Sequence, residues 1–258
     1  MPDLPAEVLP RVVSCRCHPS TPEAVPAIII RSGSHIRLPG RIDPGLRGIY
    51  PLGESGGTDI SGLGNDAVSV LEDNEEAPDT IDGMLCEQAG VMNGRQGYLL
   101  PFTLDNSITV SLFVRPQRIR NEQTILQVGP YLRFGLTFLG EPIVSVNRLQ
   151  SDEAHVVGPR LDDSVWCHLA FVFGVDGSVR IYIDGEQADV QRDGQTARVA
   201  VVPMTIRRGT PVLFSDGEQF GIHGAASDVI IRQSEMTAEE IAAERDSYCT
   251  TFMEVVDV

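Results

Sequence analysis

Three strand-like segments decide the fold of this chain: Ser107-Ile-Thr-Val-Ser-Leu-Phe-Val114, Val165-Trp-Cys-His-Leu-Ala-Phe-Val-Phe173 and Ser178-Val-Arg-Ile-Tyr-Ile-Asp-Gly-Glu186. The first segment alternates between two faces, as a strand does when only one of its faces meets a core. One face carries Ile108, Val110, Leu112 and Val114, and the other carries Thr109, Ser111, Phe113 and Arg115. The turn Gly174-Val-Asp-Gly177 joins the second segment to the third, which predicts a β-hairpin.

The hairpin and its surroundings resemble the LamG-like group of concanavalin A-type jelly rolls. The resemblance rests on Trp166-x-His-Leu-Ala170, the Asp-Gly turn and Val179-Arg-Ile-Tyr-Ile-Asp-Gly-Glu186. Further matching segments are Gly48-Ile-Tyr-Pro-Leu-Gly-Glu54, Asp59-Ile-Ser-Gly-Leu-Gly-Asn-Asp66, Gly97-Tyr-Leu-Leu-Pro101, Asp228-Val-Ile-Ile-Arg232 and Met236-Thr-Ala-Glu-Glu-Ile241. The resemblance implies an all-β fold, a two-sheet antiparallel jelly-roll sandwich with an extended N-terminal arm and a short C-terminal helix.

The chain divides into three segments. Residues 1–46 contain six prolines ahead of Pro39 and predict an extended arm. Residues 47–246 are the expected LamG-like jelly-roll domain, because the 258 residues with 42% hydrophobic content suffice for one large core. Residues 247–258 form a C-terminal tail. Just before it, Thr237-Ala-Glu-Glu240 is a capping box that predicts the start of the helix.

The net charge of −16 limits the classes of partner. Nucleic acids and anionic membrane surfaces attract basic proteins, so we expect neither as a partner. Apolar runs are too short to span a membrane, and Met1-Pro-Asp-Leu-Pro5 has no features of a secretory signal. An odd number of cysteines, five, favours reduced thiols. We therefore expect synthesis in the cytoplasm, with incorporation into a particle or release to the exterior as further fates.

Two surfaces are candidate binding sites. LamG-like domains often hold a structural calcium ion, so the resemblance implies Asp59, Asn65, Asp66 and Asp228 as candidate metal ligands. The alternative is that Asp59 and Asn65 fix their own loop through Asx turns. The second surface consists of the polar alternates Thr109, Ser111, Arg115, Arg133 and Asn147, which would line one face of a sheet if their strands are neighbours. Such a face holds sugars in jelly-roll lectins, although simple solvent exposure explains the same pattern.

We expect structural roles for three residues of the second segment, Trp166, Cys167 and His168. Trp166 matches a core position of the family, and His168 two residues later is expected to be a structural histidine. Cys167 lies in an apolar strand and is expected to be buried and inert.

Three functions remain open at this stage. The first is a non-catalytic recognition module that binds a glycan or a protein. The second is a structural or decoration protein of a virion or another particle, in which the arm and the tail exchange between copies of a homo-oligomer. The third is a carbohydrate-active hydrolase or lyase. The third is disfavoured because the sequence lacks the Glu-x-Asp-x-x-Glu spacing of related glucanases, and it also lacks GxSxG and HExxH motifs.

Overall fold

The computed structural model describes residues 43–52, 56–70, 80–82, 88–117, 119–146, 153–202, 208–215 and 221–250. In chain order the strands are β1 Leu46–Tyr50, β2 Val68–Ser69, β3 Thr80–Asp82, β4 Gln88–Asn93, β5 Tyr98–Leu99, β6 Ile108–Pro116, β7 Gln123–Val128, β8 Leu132–Leu136, β9 Pro142–Val146, β10 Ala154–Val157, β11 Cys167–Phe173, β12 Ser178–Ile183, β13 Glu186–Gln187, β14 Val190–Arg192, β15 Gln195–Ala197, β16 Ala200–Val201, β17 Pro211–Leu213 and β18 His223–Arg232. One helix, α1, follows at Ala238–Thr250.

Within these ranges the strands form two antiparallel sheets of nine strands each. Sheet I has the order β13-β12-β11-β6-β18-β4-β3, with β1 beside β18 and β16 beside β12. Sheet II has the order β15-β14-β10-β9-β8-β7-β17-β5-β2. The predicted hairpin is β11–β12, with Phe173 opposite Val179 across the Gly174–Gly177 turn. The all-β, two-sheet fold class with one short C-terminal helix is confirmed.

The main core lies between the two sheets. Sheet I contributes the apolar face of β6, and sheet II contributes side chains such as Phe134 and Val144. The rings of Phe134 and Phe171 meet across the interface with their centroids 5.6 Å apart. This contact is typical of facing sheets, because alternate side chains of each strand point into the shared interior.

Helix α1 covers part of the outer face of sheet I. Ile241 and Met236 pack there against Ala170, Val172 and Tyr182 in a second apolar cluster. The predicted capping box is present: Thr237 N donates to Glu240 Oε2 at 2.8 Å, and Glu240 N donates to Thr237 Oγ1 at 3.2 Å. Sheet I therefore has apolar contacts on both faces, which explains why β6 and β11 are buried along almost their whole length.

The sandwich makes contacts slightly beyond residues 47–246. Asp43 Oδ2 accepts a hydrogen bond from Arg232 Nε at 2.9 Å, and β1 begins at Leu46. At the other end α1 continues to Thr250. Residues 1–42 of the expected arm and residues 251–258 of the tail lie outside the described residues. No helix in the described ranges is long and apolar enough to cross a membrane.

Candidate functional site

The structure separates the predicted ligand-binding residues. Thr109, Ser111 and Arg115 lie on β6 in sheet I, whereas Arg133 lies on β8 in sheet II. Asn147 lies outside the described residues. The expectation that these side chains line one face of one sheet is therefore corrected. The alternation within each strand was read properly, but alternation does not reveal which sheet a strand joins.

Thr109 and Ser111 anchor α1 and the segment that leads into it. Thr109 Oγ1 donates to Ser234 O at 2.7 Å and accepts from Met236 N at 3.1 Å. Ser111 Oγ hydrogen-bonds to Glu244 Oε1 of the helix. Because Thr109 and Ser111 are almost fully buried, their polar atoms hold the fold together and face no solvent.

Glu244 is the centre of this buried polar cluster. Its Oε2 lies 2.5 Å from Arg232 Nη1, an ion pair whose angles fall short of a hydrogen bond, and its Oε1 lies 3.8 Å from His168 Nε2. Burial raises the pKa of Glu244, but His168, Arg232 and Ser111 outweigh that effect and hold the pKa below its ordinary value. The cluster resembles no nucleophile-and-base pair, since Ser111 and His168 each contact the carboxylate and all three side chains are buried.

Arg133 is enclosed on the outer side of sheet II. Its Nη2 contacts Glu122 Oε2 and donates to Ser145 Oγ at 3.2 Å, and Ser145 Oγ lies 3.1 Å from His155 Nδ1. Arg133, Ser145 and His155 are cross-strand neighbours in register on β8, β9 and β10. With 1% of its surface exposed, the Arg133 side chain holds its neighbours and presents no accessible donor.

The Asp59–Asp66 loop is fixed by hydrogen bonds to its own carboxylates. Asp59 Oδ1 accepts from Ile49 N and Ser61 N, and Asp59 Oδ2 accepts from Ser61 Oγ and Asn65 N, all within 3.0 Å. Asp66 Oδ1 accepts from Asp59 N at 2.8 Å. These contacts favour the Asx-turn alternative for this loop, because both Asp59 oxygens already have two donors.

The calcium prediction is not tested by this geometry. Asn65 donates from Nδ2 to Arg47 O at 2.7 Å, and Asp228 lies at the bulge of β18 beside Pro51. Across the residues that the structure describes, no group of three or more His, Cys, Asp or Glu side chains is arranged to hold a metal ion. The calcium site therefore stays a prediction.

Trp166, Cys167 and His168, in or directly before β11, are packed against other side chains of the fold. Trp166 is half-buried and packs against Ile49, Phe113 and Ile230, a small cluster outside the main core. The His168 ring lies 5.1 Å from the Phe113 ring. Cys167 is buried as predicted, and burial, followed by the charges of Asp184 and Asp162, raises its pKa to about 12. Its thiol is thus protonated at neutral pH and is no nucleophile.

A cleft that is largely open to solvent lies where the two sheets meet. Its cavity volume is about 620 Å³, within the range of small-molecule sites. The lining residues are Arg47, Leu99, Leu100, Pro101, Phe102, Thr103, Arg208, Thr210 and Gln233. Sheet I contributes Arg47 from β1 and Gln233, which directly follows β18, and sheet II contributes Leu99 from β5 and Thr210, which directly precedes β17.

Backbone pairing fixes the wall formed by sheet II. Leu104 and Gly209 exchange two hydrogen bonds of 2.9 and 2.8 Å in an antiparallel bridge, which places Thr103 opposite Thr210 and Asp105 opposite Arg208. A side chain at Gly209 would lie 2.8 Å from Gly129 N, so only glycine allows this close approach. Arg208 Nε then donates to Thr103 Oγ1 at 2.6 Å.

The wall formed by sheet I is fixed by side chains. Gln233 Oε1 accepts from Arg47 Nε at 3.2 Å and from Arg47 Nη2 at 3.1 Å. Gln233 Nε2 donates to Asp105 Oδ1, and Gln233 N donates to Gly45 O at 2.7 Å. The cleft therefore combines an apolar strip, from Leu99 to Phe102, with polar groups that are already oriented, which is the usual composition of a ligand site.

Sequence reasoning missed this cleft. Its residues come from four separated parts of the chain, and neither Arg47 nor Phe102 stands out by spacing or motif. One local signal was present: Arg207-Arg208 is a pair of adjacent arginines in an acidic chain, directly before a turn-forming Gly-Thr-Pro segment.

Comparisons with known proteins agree with the fold. A family model described as the concanavalin A-like lectin/glucanases superfamily matches residues 93–242, more than half of the chain. The chain belongs to this superfamily. The match confirms the resemblance inferred from the hairpin and its flanking strands, and it extends from the last residue of β4 to the first residues of α1. No curated protein matches the chain.

Solved structures with the same fold are distant in sequence. The binding domain of Paraclostridial Mosquitocidal Protein 1 has a TM-score of 0.58 and 13% identity, covering 79% of this chain and 52% of that one. Botulinum neurotoxin type C, whose cell entry depends on two ganglioside molecules, has a TM-score of 0.57 and 12% identity, covering 79% and 51%. This chain thus spans about half the length of these two toxin chains.

Domain 4 of AbnA, an extracellular arabinanase from Geobacillus stearothermophilus, matches over nearly its whole length. It has a TM-score of 0.56 and 20% identity, covers 77% of this chain and 97% of its own, and was solved with arabinotriose bound. At sequence identities this low, the structural similarity establishes a shared fold alone.

Proposed function

We propose that this protein is a non-catalytic recognition module that binds a saccharide in the cleft between the two sheets. The observation that carries the proposal is the composition of that cleft: the half-buried ring of Phe102 lies beside hydrogen-bonding groups from Thr103, Arg208 and Gln233. Sugars present apolar C–H faces together with rows of hydroxyl groups, so an aromatic ring flanked by fixed polar groups suits them.

The described lining of the cleft has no pair of carboxyl groups, which sugar hydrolysis requires. Glycosidases need two carboxyl groups on either side of the scissile bond. None of the described residues that line the cleft carries a carboxylate. This composition supports binding without catalysis.

The comparisons support a saccharide as the ligand. Domain 4 of AbnA shares this fold and was solved with an oligosaccharide, and the toxin structures include one whose cell entry involves gangliosides. A protein partner would be the alternative for the same fold. The particle-decoration hypothesis depends on residues 1–46 and 247–258, most of which lie outside the described residues, and it stays a prediction.

The test is a glycan array followed by titration calorimetry on the strongest hit. Phe102→Leu removes the aromatic face but keeps an apolar side chain against the core, and we expect it to weaken binding about tenfold. Phe138→Leu is the matched control, because Phe138 is 55% exposed and does not line the cleft. An empty array, or equal losses in both variants, contradicts the proposal, and release of sugar during incubation contradicts its non-catalytic part.

A further inference from the structure

The charge of the cleft is opposite to the charge of the chain. The sequence has 36 acidic and 20 basic residues, so a random patch of surface is acidic. The described lining of the cleft nevertheless has two arginines, Arg47 and Arg208, and no carboxylate. The positive charge of these two arginines lowers the electrostatic energy of an anionic group that enters the cleft.

The Arg208 guanidinium has N–H donors that are not used within the described part of the fold. Its Nε is used by Thr103 Oγ1, which orients the side chain, while Nη1 and Nη2 have no partner among the described residues. Several other arginines in the described ranges pair with a carboxylate, for example Arg180 with Glu235 at 2.5 Å and Arg198 with Asp189 at 3.0 Å. Arg208 therefore presents the forked end of a guanidinium, the geometry that binds carboxylates in a bidentate manner.

Arg47 contributes charge from the opposite wall but is held more tightly. Its Nη1 donates to Pro44 O and Leu46 O, each at 3.3 Å, in addition to the two bonds to Gln233 Oε1. The nearest carboxylate in this network is Asp105, which contacts the far side of the Gln233 amide. Arg47 thus sets the potential of the cleft, and Arg208 offers the direct contacts.

We propose that the cleft selects acidic saccharides, and that Arg208 binds a carboxylate of the sugar with Arg47 supporting it electrostatically. This inference rests on the proposed function, since it names the class of saccharide for the same cleft. A long polyanion is disfavoured because the remainder of the chain carries a large negative charge. A short sugar acid meets only the local field of the two arginines.

The experiment compares matched pairs of sugars by titration calorimetry on the full chain. The pairs are trigalacturonate with its methyl ester and sialyllactose with lactose, and lactose 6′-sulfate tests a sulfate in place of a carboxylate. We expect at least one carboxylate-bearing sugar to bind about tenfold or more tightly than its neutral partner.

The other possible outcomes distinguish failure of the acidic preference from failure of saccharide binding itself. Equal or tighter binding of the neutral partners overturns the acidic preference and leaves the proposed saccharide-binding function in place. Binding of the sulfated sugar alone overturns the carboxylate as the recognised group. Failure of every sugar in these pairs and on the array overturns both proposals.

Three variants assign the preference to Arg208. Arg208→Gln should reduce the acid-over-neutral ratio about tenfold, and Arg208→Lys should recover only part of it, because a lysine keeps the charge but loses the fork. Arg198→Gln is the control, since Arg198 is an exposed arginine paired with Asp189 outside the cleft. An unchanged ratio in Arg208→Gln, or an equal fall in Arg198→Gln, overturns the assignment.

Discussion

At the scale of single residues, two turn glycines with almost the same backbone conformation have different surroundings. Gly177 has a φ of +79° and Gly194 a φ of +77°. A Cβ at Gly177 would lie 2.2 Å from Val202 O, whereas a Cβ at Gly194 would have no neighbour within 4 Å. Comparing the two separates the cost of the left-handed backbone from the cost of a steric clash.

We expect Gly194→Ala to lower the free energy of unfolding by about 1 kcal/mol, the usual cost of that backbone region for alanine. Gly177→Ala should cost about 1–3 kcal/mol more, because Val202 O belongs to a backbone segment that cannot move without losing its bond to Gly177. Urea denaturation of both variants measures the difference. Equal losses would mean that the Val202 segment adjusts freely.

The alternation of residues predicted which face of β6 points into the core, but it did not predict what the other face packs against. The apolar side of β6 was read from alternation alone, and Ile108, Val110 and Leu112 lie in the main core. The polar side was expected to meet a ligand, yet Thr109 and Ser111 lie beneath the helix. A strand with one apolar and one mixed face looks the same in sequence whether the mixed face meets water, a ligand or a helix.

At the scale of elements, α1 docks on sheet I through a buried charge as well as through apolar contacts. The capping box and the stripe around Ile241 were visible in the sequence and are present in the structure. The burial of Glu244 could not be predicted, because a glutamate in a helix is normally exposed. Its partners, Ser111, His168 and Arg232, come from three different strands.

Glu244→Gln should destabilise the fold by about 3 kcal/mol at neutral pH, since it removes one of the two carboxylates that pair with the buried Arg232 and leaves only Asp43. The pKa of Glu244 is lowered in the folded state from an ordinary value of 4.5. The stability that it contributes is therefore present above the unfolded pKa and is lost as the pH falls through the folded pKa. Unfolding free energies measured from neutral pH to below 4.5 should fall less steeply in Glu244→Gln than in the native protein.

Glu239→Gln is the control for this element, because Glu239 is exposed on the same helix. It should change neither the stability at neutral pH nor its acid dependence beyond a few tenths of a kcal/mol. Parallel pH profiles for the native protein and Glu244→Gln would show that other carboxylates dominate the acid response.

At the scale of the whole molecule, the sandwich creates a site that no single segment encodes. The cleft joins Arg47, the Leu99–Thr103 segment, Arg208 and Gln233, which are separated by up to 186 residues along the chain. The fold was predictable because its signal is local and repeated in every strand. The cleft was not, because it depends on which strands become neighbours across two sheets.

The charge of the whole molecule gives a last prediction. A net charge of −16 destabilises the compact state through self-repulsion, and salt shortens the range of that repulsion from about 30 Å at 0.01 M to about 8 Å at 0.15 M. We therefore expect the free energy of unfolding in urea to rise with NaCl over this range. KCl at equal ionic strength should have the same effect, since screening does not depend on the identity of the cation.

Calcium would act differently, because a cation that binds only the folded state stabilises it by about 2.7 kcal/mol at a hundredfold excess over Kd. About 1 mM CaCl2 adds almost no screening. We expect little stabilisation from it, since at least one of the four hydrogen bonds to the Asp59 carboxylate would have to be replaced for that group to bind a metal. A rise that chelator reverses and that Asp59→Asn abolishes would instead establish the calcium site that the family resemblance implies.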